Sequence, residues 1–308
     1  MEISKYALFA DVAETHNFTK SGDRLGYTQP GVSHTLKSLE TELGFALFRR
    51  AKNGAFLTPA GRQILPLVRQ LLSVNEHLEE TISSLNGLTT GHITIACFAS
   101  ISRNWLPQII YRFRQDYPGI EIELLEGGTD DIVGWIEDHV ADFGLLSRRH
   151  TSALNWIQLR EDPLMAILPN EPKYAQKKSY PVAEMVKQPF ILSAEGTDYD
   201  IHHLLDKTKI KPDIRFTSKD DHAIVSMVAN RLGISILPKL VIDDADYDFI
   251  SLPLSPYFKR DLGIAYKDES ALSPSSKKFI QHIQAVLPPS ADPPDLPEED
   301  RLDAEDPD

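Results

Sequence analysis

Cysteine is almost absent: Cys97 is the only one in 308 residues. No intrachain disulfide can form, and a thiolate metal cluster is excluded. Cys97 ends an apolar strand pattern, so a buried and inert thiol is expected. Long hydrophobic runs are missing as well. No stretch approaches the length of a membrane span, and the N-terminus shows no basic-then-apolar leader, which together lead to the expectation of a cytoplasmic protein. Catalytic signatures are also lacking. There is no G-x-S-x-G, no H-E-x-x-H, no P-loop and no Rossmann glycine fingerprint. The adjacent His202 and His203 would point apart on a helix and cannot readily chelate one metal. Neither an enzyme nor a resident metal or cofactor is expected.

An excess of positive charge is the last thing missing, and its distribution matters more than its sum. The formal net charge is −13, but residues 288–308 alone hold nine Asp or Glu against one Arg. That proline-rich acidic tail cannot bury a core and is expected to be disordered. Residues 1–60 hold seven Lys or Arg against six Asp or Glu. Such a near-neutral head engages a nucleic acid best through paired half-sites.

What is present begins with residues 28–43, TQPGVSHTLKSLETEL. Val32, Leu36, Leu39 and Leu43 make one apolar stripe at helical spacing, while Gln29, Pro30, Ser33, His34 and Lys37 fall mainly on the other side. Thr28 is a good N-cap, Pro30 suits a first turn, and Gly44 is a C-terminal stop. Upstream, Tyr6, Phe9, Val12 and Ala13 define one helix and Thr19–Leu25 a second. Downstream, two strand-like runs flank Asn53-Gly54, a strong hairpin signal, with Arg49, Arg50 and Lys52 clustered on it. Helix, helix, turn, helix, hairpin is the outline of a winged helix-turn-helix, whose partner is double-stranded DNA. In that geometry Gln29 and Ser33 would face base edges and Lys37 a phosphate.

These same residues resemble the opening of the LysR-type transcriptional regulators. The likeness is carried by Phe9-x-x-Val12-Ala13-Glu14, Asn17-Phe18-Thr19-Lys20, Arg24-Leu25 and Gln29-Pro30-Gly31-Val32-Ser33. Leu39-Glu40-x-Glu42-Leu43-Gly44, Leu47-Phe48-Arg49-Arg50 and Leu57-Thr58-Pro59-Ala60-Gly61 continue it. The resemblance implies base or backbone contacts from Gln29, Pro30 and Ser33, and a wing contact from Arg50. Two departures stand out. Ser21-Gly22 occupies the place of two packing alanines, which predicts a looser contact between helices. His34 replaces a common arginine, which predicts a weaker or pH-dependent phosphate contact.

Thr58 and Pro59 then open a long helix running to residue 88. Ile64, Val68, Leu71, Asn75, Leu78, Ile82 and Leu85 recur at alternating steps of four and three, a seam suited to pairing with a second copy, with Asn75 restricting register. The resemblance makes this the linker helix of a dimer, from which a tetramer is expected. Gly87 and Gly91 mark a boundary.

From residue 92 strands alternate with helices, which predicts parallel sheets covered on both faces. The expected domains are a DNA-binding head at 1–58, the linker helix at 59–88, an effector domain at 92–287 and the tail at 288–308. Within the effector domain, lobe I takes 92–161 and 262–287 and lobe II takes 162–261, because the pattern restarts near Glu161 and returns near Asp261. This half resembles, more loosely, the two-lobed, periplasmic-binding-protein-like effector domain of the same family. It does so through Leu106-Pro107, Phe113, Tyr117-Pro118-Gly119, Asp142, Val228, Leu232-Gly233-Ile234 and Leu237-Pro238. A cleft outside the strand ends is the default ligand site. Ser100, Ser102, Thr129, Ser193 and Thr197 stand where strands give way to helices, which favours a small carboxylate-bearing effector. Arg103 and His222 are secondary candidates. A transport-type binding protein would need a secretion leader, and a fused PLP-type enzyme a larger fold. The reading is therefore a DNA-binding regulator controlled by a small molecule.

Overall fold

The computed structural model describes residues 2–51, 54–86, 90–194, 196, 199–243, 245–270 and 272–287, the side chains of Arg50 and Ala51 excepted. Lys52, Asn53 of the expected Asn53-Gly54 turn, Thr197 and the acidic tail lie outside them. The chain divides into two compact units, residues 1–88 with 138–140, and 89–137 with 141–308.

The first unit holds α1 (Ile3–Thr15), α2 (Phe18–Leu25), α3 (Gln29–Leu43), β1 (Phe48–Ala51), β2 (Gly54–Leu57) and α4 (Pro59–Leu85). Helix boundaries follow the capping chemistry. The Asn17 side chain accepts from the Thr19 and Lys20 amides, and the Thr28 hydroxyl accepts from Gly31 N at 3.2 Å. Gly26 and Gly44 end α2 and α3 in the left-handed region. Leu8, Phe9 and Val12 meet Val32, Leu36 and Leu39 in one core, closed by Leu47 and Phe48. Each such buried side chain contributes about 1.5–3 kcal/mol of transfer free energy. The strands β1 and β2 pair antiparallel, Phe48 opposite Leu57 and Ala51 opposite Gly54.

At the Ser21-Gly22 departure the backbone is approached closely from the turn between α2 and α3. A Cβ on Gly22 would lie 2.6 Å from the Tyr27 carbonyl oxygen, so the missing methyl is replaced by closer backbone approach. Ser21 is fully buried, and its hydroxyl shares a 2.5 Å hydrogen bond with Thr15 Oγ1.

Helix α4 is continuous through Pro66. The proposed seam divides along its length. Val68 is buried in the head and Ile64 packs against the same core, whereas Leu78, Ile82 and Leu85 are exposed together with Leu67 and Val74. The first two seam positions are therefore used up by the helix's own unit, because the N-terminal half of α4 lies on α1. Asn75 donates from Nδ2 to Glu79 Oε1 at 2.9 Å, one turn along the same helix.

The second unit runs β3 (Thr90–Cys97), α5 (Ala99–Asn104), α6 (Leu106–Asp116), β4 (Gly119–Glu126), α7 (Thr129–Glu137), β5 (Phe143–Ser147) and β6 (Asn155–Pro169). Next come β7 (Tyr180–Pro181), a 3-10 turn at Val182–Lys187, β8 (Pro189–Ser193), α8 (Tyr199–Thr208), β9 (Asp213–Ser218) and α9 (Asp221–Ala229). The unit ends with β10 (Ser235–Pro238), α10 (Lys239–Ile242), β11 (Phe249–Ser255), β12 (Lys259–Tyr266) and α11 (Pro274–Val286). One core gathers Ile95, Phe113, Phe143 and Phe279; the other gathers Phe190, Ile224, Val228 and Leu237. They form two lobes of this unit.

The sheet is mixed rather than parallel. Its order is β4-β3-β5-β12-β6-β11-β7, with β10 also on β6. Strands β3, β4 and β5 are parallel, but β12 is antiparallel to both β5 and β6. The reason is the double crossing. The chain leaves lobe I along β6 and returns along β12, so the two strands must run in opposite directions. For the same reason the crossing near Glu161 is made inside a strand: β6 is one strand of 15 residues that runs from one lobe into the other. A short helix, α5, precedes α6, and the two are parted at Trp105, which makes Pro107 an early position of the second helix, where a missing N–H costs little.

Candidate functional site

Two sites follow from this framework, one in each unit. In the head, Thr28, Gln29, Pro30, His34 and Lys37 are exposed and Ser33 is partly exposed, while the opposite face of α3 is sealed in the core. The first turn of α3 therefore has its polar side chains available for a partner. The helix is held from behind at two points. Glu40 Oε1 accepts from Leu47 N at 2.7 Å and from Phe48 N at 3.1 Å, which ties α3 to the start of the hairpin. Lys5 pairs with Glu42 and donates to Ser38 at 3.3 Å, which ties it to α1. That mutual hydrogen bond raises the Lys5 pKa and lowers that of Glu42.

The hairpin is anchored in turn by α1. Ala55 N donates to His16 O at 2.9 Å, and a Cβ at Gly54 would sit 2.5 Å from that same oxygen. Glycine at 54, with φ at +131°, thus serves both the backbone conformation and the close approach. Arg49 is exposed, with its guanidinium carbon 5.7 Å from the Phe56 ring centroid. Lys52 and the Arg50 side chain lie outside the described residues.

In the second unit a cavity of about 220 Å³ opens between the lobes. Ala99, Ser100 and Arg103 line it from α5, Lys219, Asp220, Asp221 and His222 from the start of α9, and Val241 from α10. Of the five hydroxyl residues singled out from sequence, Ser100 is on this lining, together with the secondary candidates Arg103 and His222. Ser102 is one face away on the same helix, where its hydroxyl bonds Glu126 and donates to Ala99 O at 3.0 Å. Thr129 and Ser193 are buried but outside the lining. The Asp220 carboxylate caps α9, accepting from His222 N at 2.9 Å and Ala223 N at 3.3 Å.

Behind the cavity lies a buried ion pair that the sequence did not reveal. Arg260 on β12 stands opposite Asp162 on β6, and both are about 95% or more buried. Arg260 Nε reaches Asp162 Oδ2 at 3.0 Å and Nη2 reaches the same oxygen at 2.9 Å. Asp162 Oδ1 accepts from Leu240 N at 3.0 Å, joining α10 to the pair. The only available signal was two opposite charges at the ends of the two lobe-crossing runs, and without the strand register nothing paired them. The lobes meet again at α8. Tyr199 donates its hydroxyl to Asp130 at 2.9 Å, and Arg149 lies 3.0 Å from the Asp200 carboxylate.

Cys97 is fully buried at the end of β3. Burial, aided by the nearby Glu126 charge, pushes its thiol up to about 12. Among the described residues no cluster of His, Cys, Asp and Glu is placed to hold a metal ion, and no helix is long and apolar enough to cross a membrane.

Comparison with known proteins bears on both units. Residues 3–62 match the model of the bacterial regulatory helix-turn-helix proteins of the lysR family, and residues 86–288 match that of the LysR substrate binding domain. YoaU of Bacillus subtilis, an uncharacterized HTH-type transcriptional regulator, is 28% identical over 288 residues, covering 93% of this chain and 99% of that protein. A full-length OxyR variant from Pseudomonas aeruginosa superposes with a TM-score of 0.74 at 21% identity, over 92% of this chain and 94% of that one. The effector binding domain of QuiR in complex with shikimate gives 0.59 at 21% identity, over 64% and 97%. A DNA-binding helix-turn-helix head followed by a two-lobed effector-binding domain, each matched by its own model, makes this chain a member of the LysR family of transcriptional regulators.

Proposed function

We propose that the interlobe cavity receives a small carboxylate-bearing effector, and that its occupancy alters how the DNA-binding heads meet the duplex. The observation that carries this reading is the pairing of Arg103 from one lobe with Lys219 from the other on a cavity that also holds the Ser100 hydroxyl. Two cations on opposite walls attract an anion that both lobes can share, so binding favours the closed arrangement. Asp220 is occupied as a helix cap, and it and Asp221 offer acceptors to hydroxyl groups on the same ligand. A hydroxylated carboxylate matches this mixed lining, and shikimate, the ligand of the QuiR domain, is of that kind. Calorimetric screening of carboxylates and neutral analogues tests the class. Carboxylates are expected to bind, and Arg103→Ala to weaken them about tenfold, the loss of one charge-assisted hydrogen bond. If only neutral ligands bind, the reading is overturned.

In the head, α3 enters the major groove with Gln29, Pro30 and Ser33 at base edges or the adjoining backbone. His34 and Lys37 face phosphates, and Arg49, Arg50 and Lys52 on the hairpin reach the flanking backbone. The exposure of that turn of α3, against the sealing of its other face, supports this assignment. Two heads are joined through the exposed Leu78, Ile82 and Leu85 of α4 against a second copy. Footprinting on the DNA flanking its own gene should give a dyad-symmetric site with a steep salt dependence.

A further inference from the structure

Ser100 faces the cavity, but its hydroxyl does not act alone. Arg260 Nη2 donates to Ser100 Oγ at 3.4 Å while holding Asp162 Oδ2 at 2.9 Å. Among the described residues the Ser100 hydroxyl has no acceptor for its own proton. A hydroxyl whose oxygen already accepts from a cation turns its O–H away from that cation. Ser100 also lines the cavity, so an acceptor oxygen on a bound ligand is the partner its proton lacks. The remaining connections hold this arrangement in place. Asn104 Nδ2 donates to Ser100 O and to Leu240 O, both at 3.0 Å, so α5 and α10 are locked across the lobe boundary. The Arg260 guanidinium carbon is 5.3 Å from the Phe98 ring centroid, which fixes the plane of the fork.

We propose that Arg260 is a positioning and specificity-determining residue of the effector site, which holds Ser100 as an obligatory hydrogen-bond donor, so that the ligand must present an acceptor oxygen there. This rests on the interlobe cavity being the effector site, and adds which atom of the site chooses which atom of the ligand. A buried arginine is suited to the task because its planar fork spans two acceptors at once, whereas a lysine ammonium is a point charge on a flexible stem. Asp162 neutralises the charge, so Arg260 orients Ser100 without itself becoming an anion-binding group.

The test is a double-mutant cycle on the full-length protein, with shikimate and benzoate as probes, read by calorimetry alongside thermal unfolding. Ser100→Ala is expected to weaken the bound probe about tenfold, and Arg260→Lys by several-fold. The double variant should be no weaker than Ser100→Ala alone, because Arg260 acts through the hydroxyl that is gone. A merely structural role for Arg260 would give losses that add, and additive losses overturn the inference, as does an Arg260→Lys protein of unchanged affinity. If Arg260→Lys does not fold, Arg260→Gln combined with Asp162→Asn removes both buried charges together and replaces it in the cycle. A wild-type protein that binds neither probe but does bind neutral ligands overturns the carboxylate reading, and this inference with it. Binding with an additive cycle overturns this inference alone.

Discussion

The head and the effector domain solve the problem of presenting polar groups in opposite ways. In the head, every proposed base or phosphate contact on the recognition helix falls within Gln29–Lys37, a single stretch of α3 whose other face is buried as Val32, Leu36 and Leu39. In the effector domain, the cavity draws on Ala99–Arg103, Lys219–His222 and Val241, and the ion pair behind it joins residues 98 positions apart. The base-reading part of one site is a face of one helix. The other exists only when two lobes are assembled, and so depends on the stability of the framework between them.

That contrast can be broken most forcefully at Asp162. Asp162→Ala leaves Arg260 buried without its carboxylate, at a cost of about 3–5 kcal/mol, and should abolish effector binding while the isolated contacts of α3 are untouched. Chemical denaturation with a DNA-binding assay on the same samples distinguishes the two effects. In the head, Leu39→Ala should cost about 2–5 kcal/mol by opening a cavity beneath the recognition helix, visible as an early unfolding transition and loss of DNA binding. Gln29→Ala should cost about 1–3 kcal/mol of discrimination and relax base preference, with stability unchanged; site selection from a random pool reads this directly. Lys37→Ala should weaken all sequences alike and reduce the salt slope by about 1. Asp220→Ala removes a helix cap at the cavity edge and should cost about 1 kcal/mol, seen as a small drop in melting temperature.

The smallest effect concerns Cys97. Its raised pKa means that the folded protein holds the thiol neutral through ordinary pH, so iodoacetamide at pH 8 should leave it unmodified until the chain is denatured. A group raised in this way favours the folded state up to its unfolded pKa, near 9.0, and that contribution is lost as pH rises toward about 12. Labelling of native protein at pH 8 would contradict the buried placement.

How much was legible differs between the units for a physical reason. Thr28, Gly44, Thr58 and Pro59 act within one helical turn of their own positions, and each bounds a helix as its local chemistry predicts. Ser100, Arg103 and His222 were legible as strand-end polar groups, yet Ser102 carries the same local signal and is turned onto Glu126 instead. Which of two hydroxyls on α5 faces the cavity depends on the rotation of that helix against β4, and no local pattern encodes it. The departure at position 22 was legible as a change, but not that the Tyr27 carbonyl oxygen would lie 2.6 Å from a Cβ placed there, because that atom comes from the turn beyond the helix.

The chain's own pattern of apolar spacing, caps and breakers was enough to determine a winged helix-turn-helix, a long helix and an effector domain of alternating strands and helices, since each of these is a short-range consequence of side-chain periodicity. Tertiary structure alone decided that β6 runs unbroken between lobes, that β12 returns antiparallel beside it, and that Asp162 and Arg260 therefore face one another behind the cavity. Strand direction and register are set by where the whole chain must travel, and residues 98 apart have no local means of announcing that they will meet.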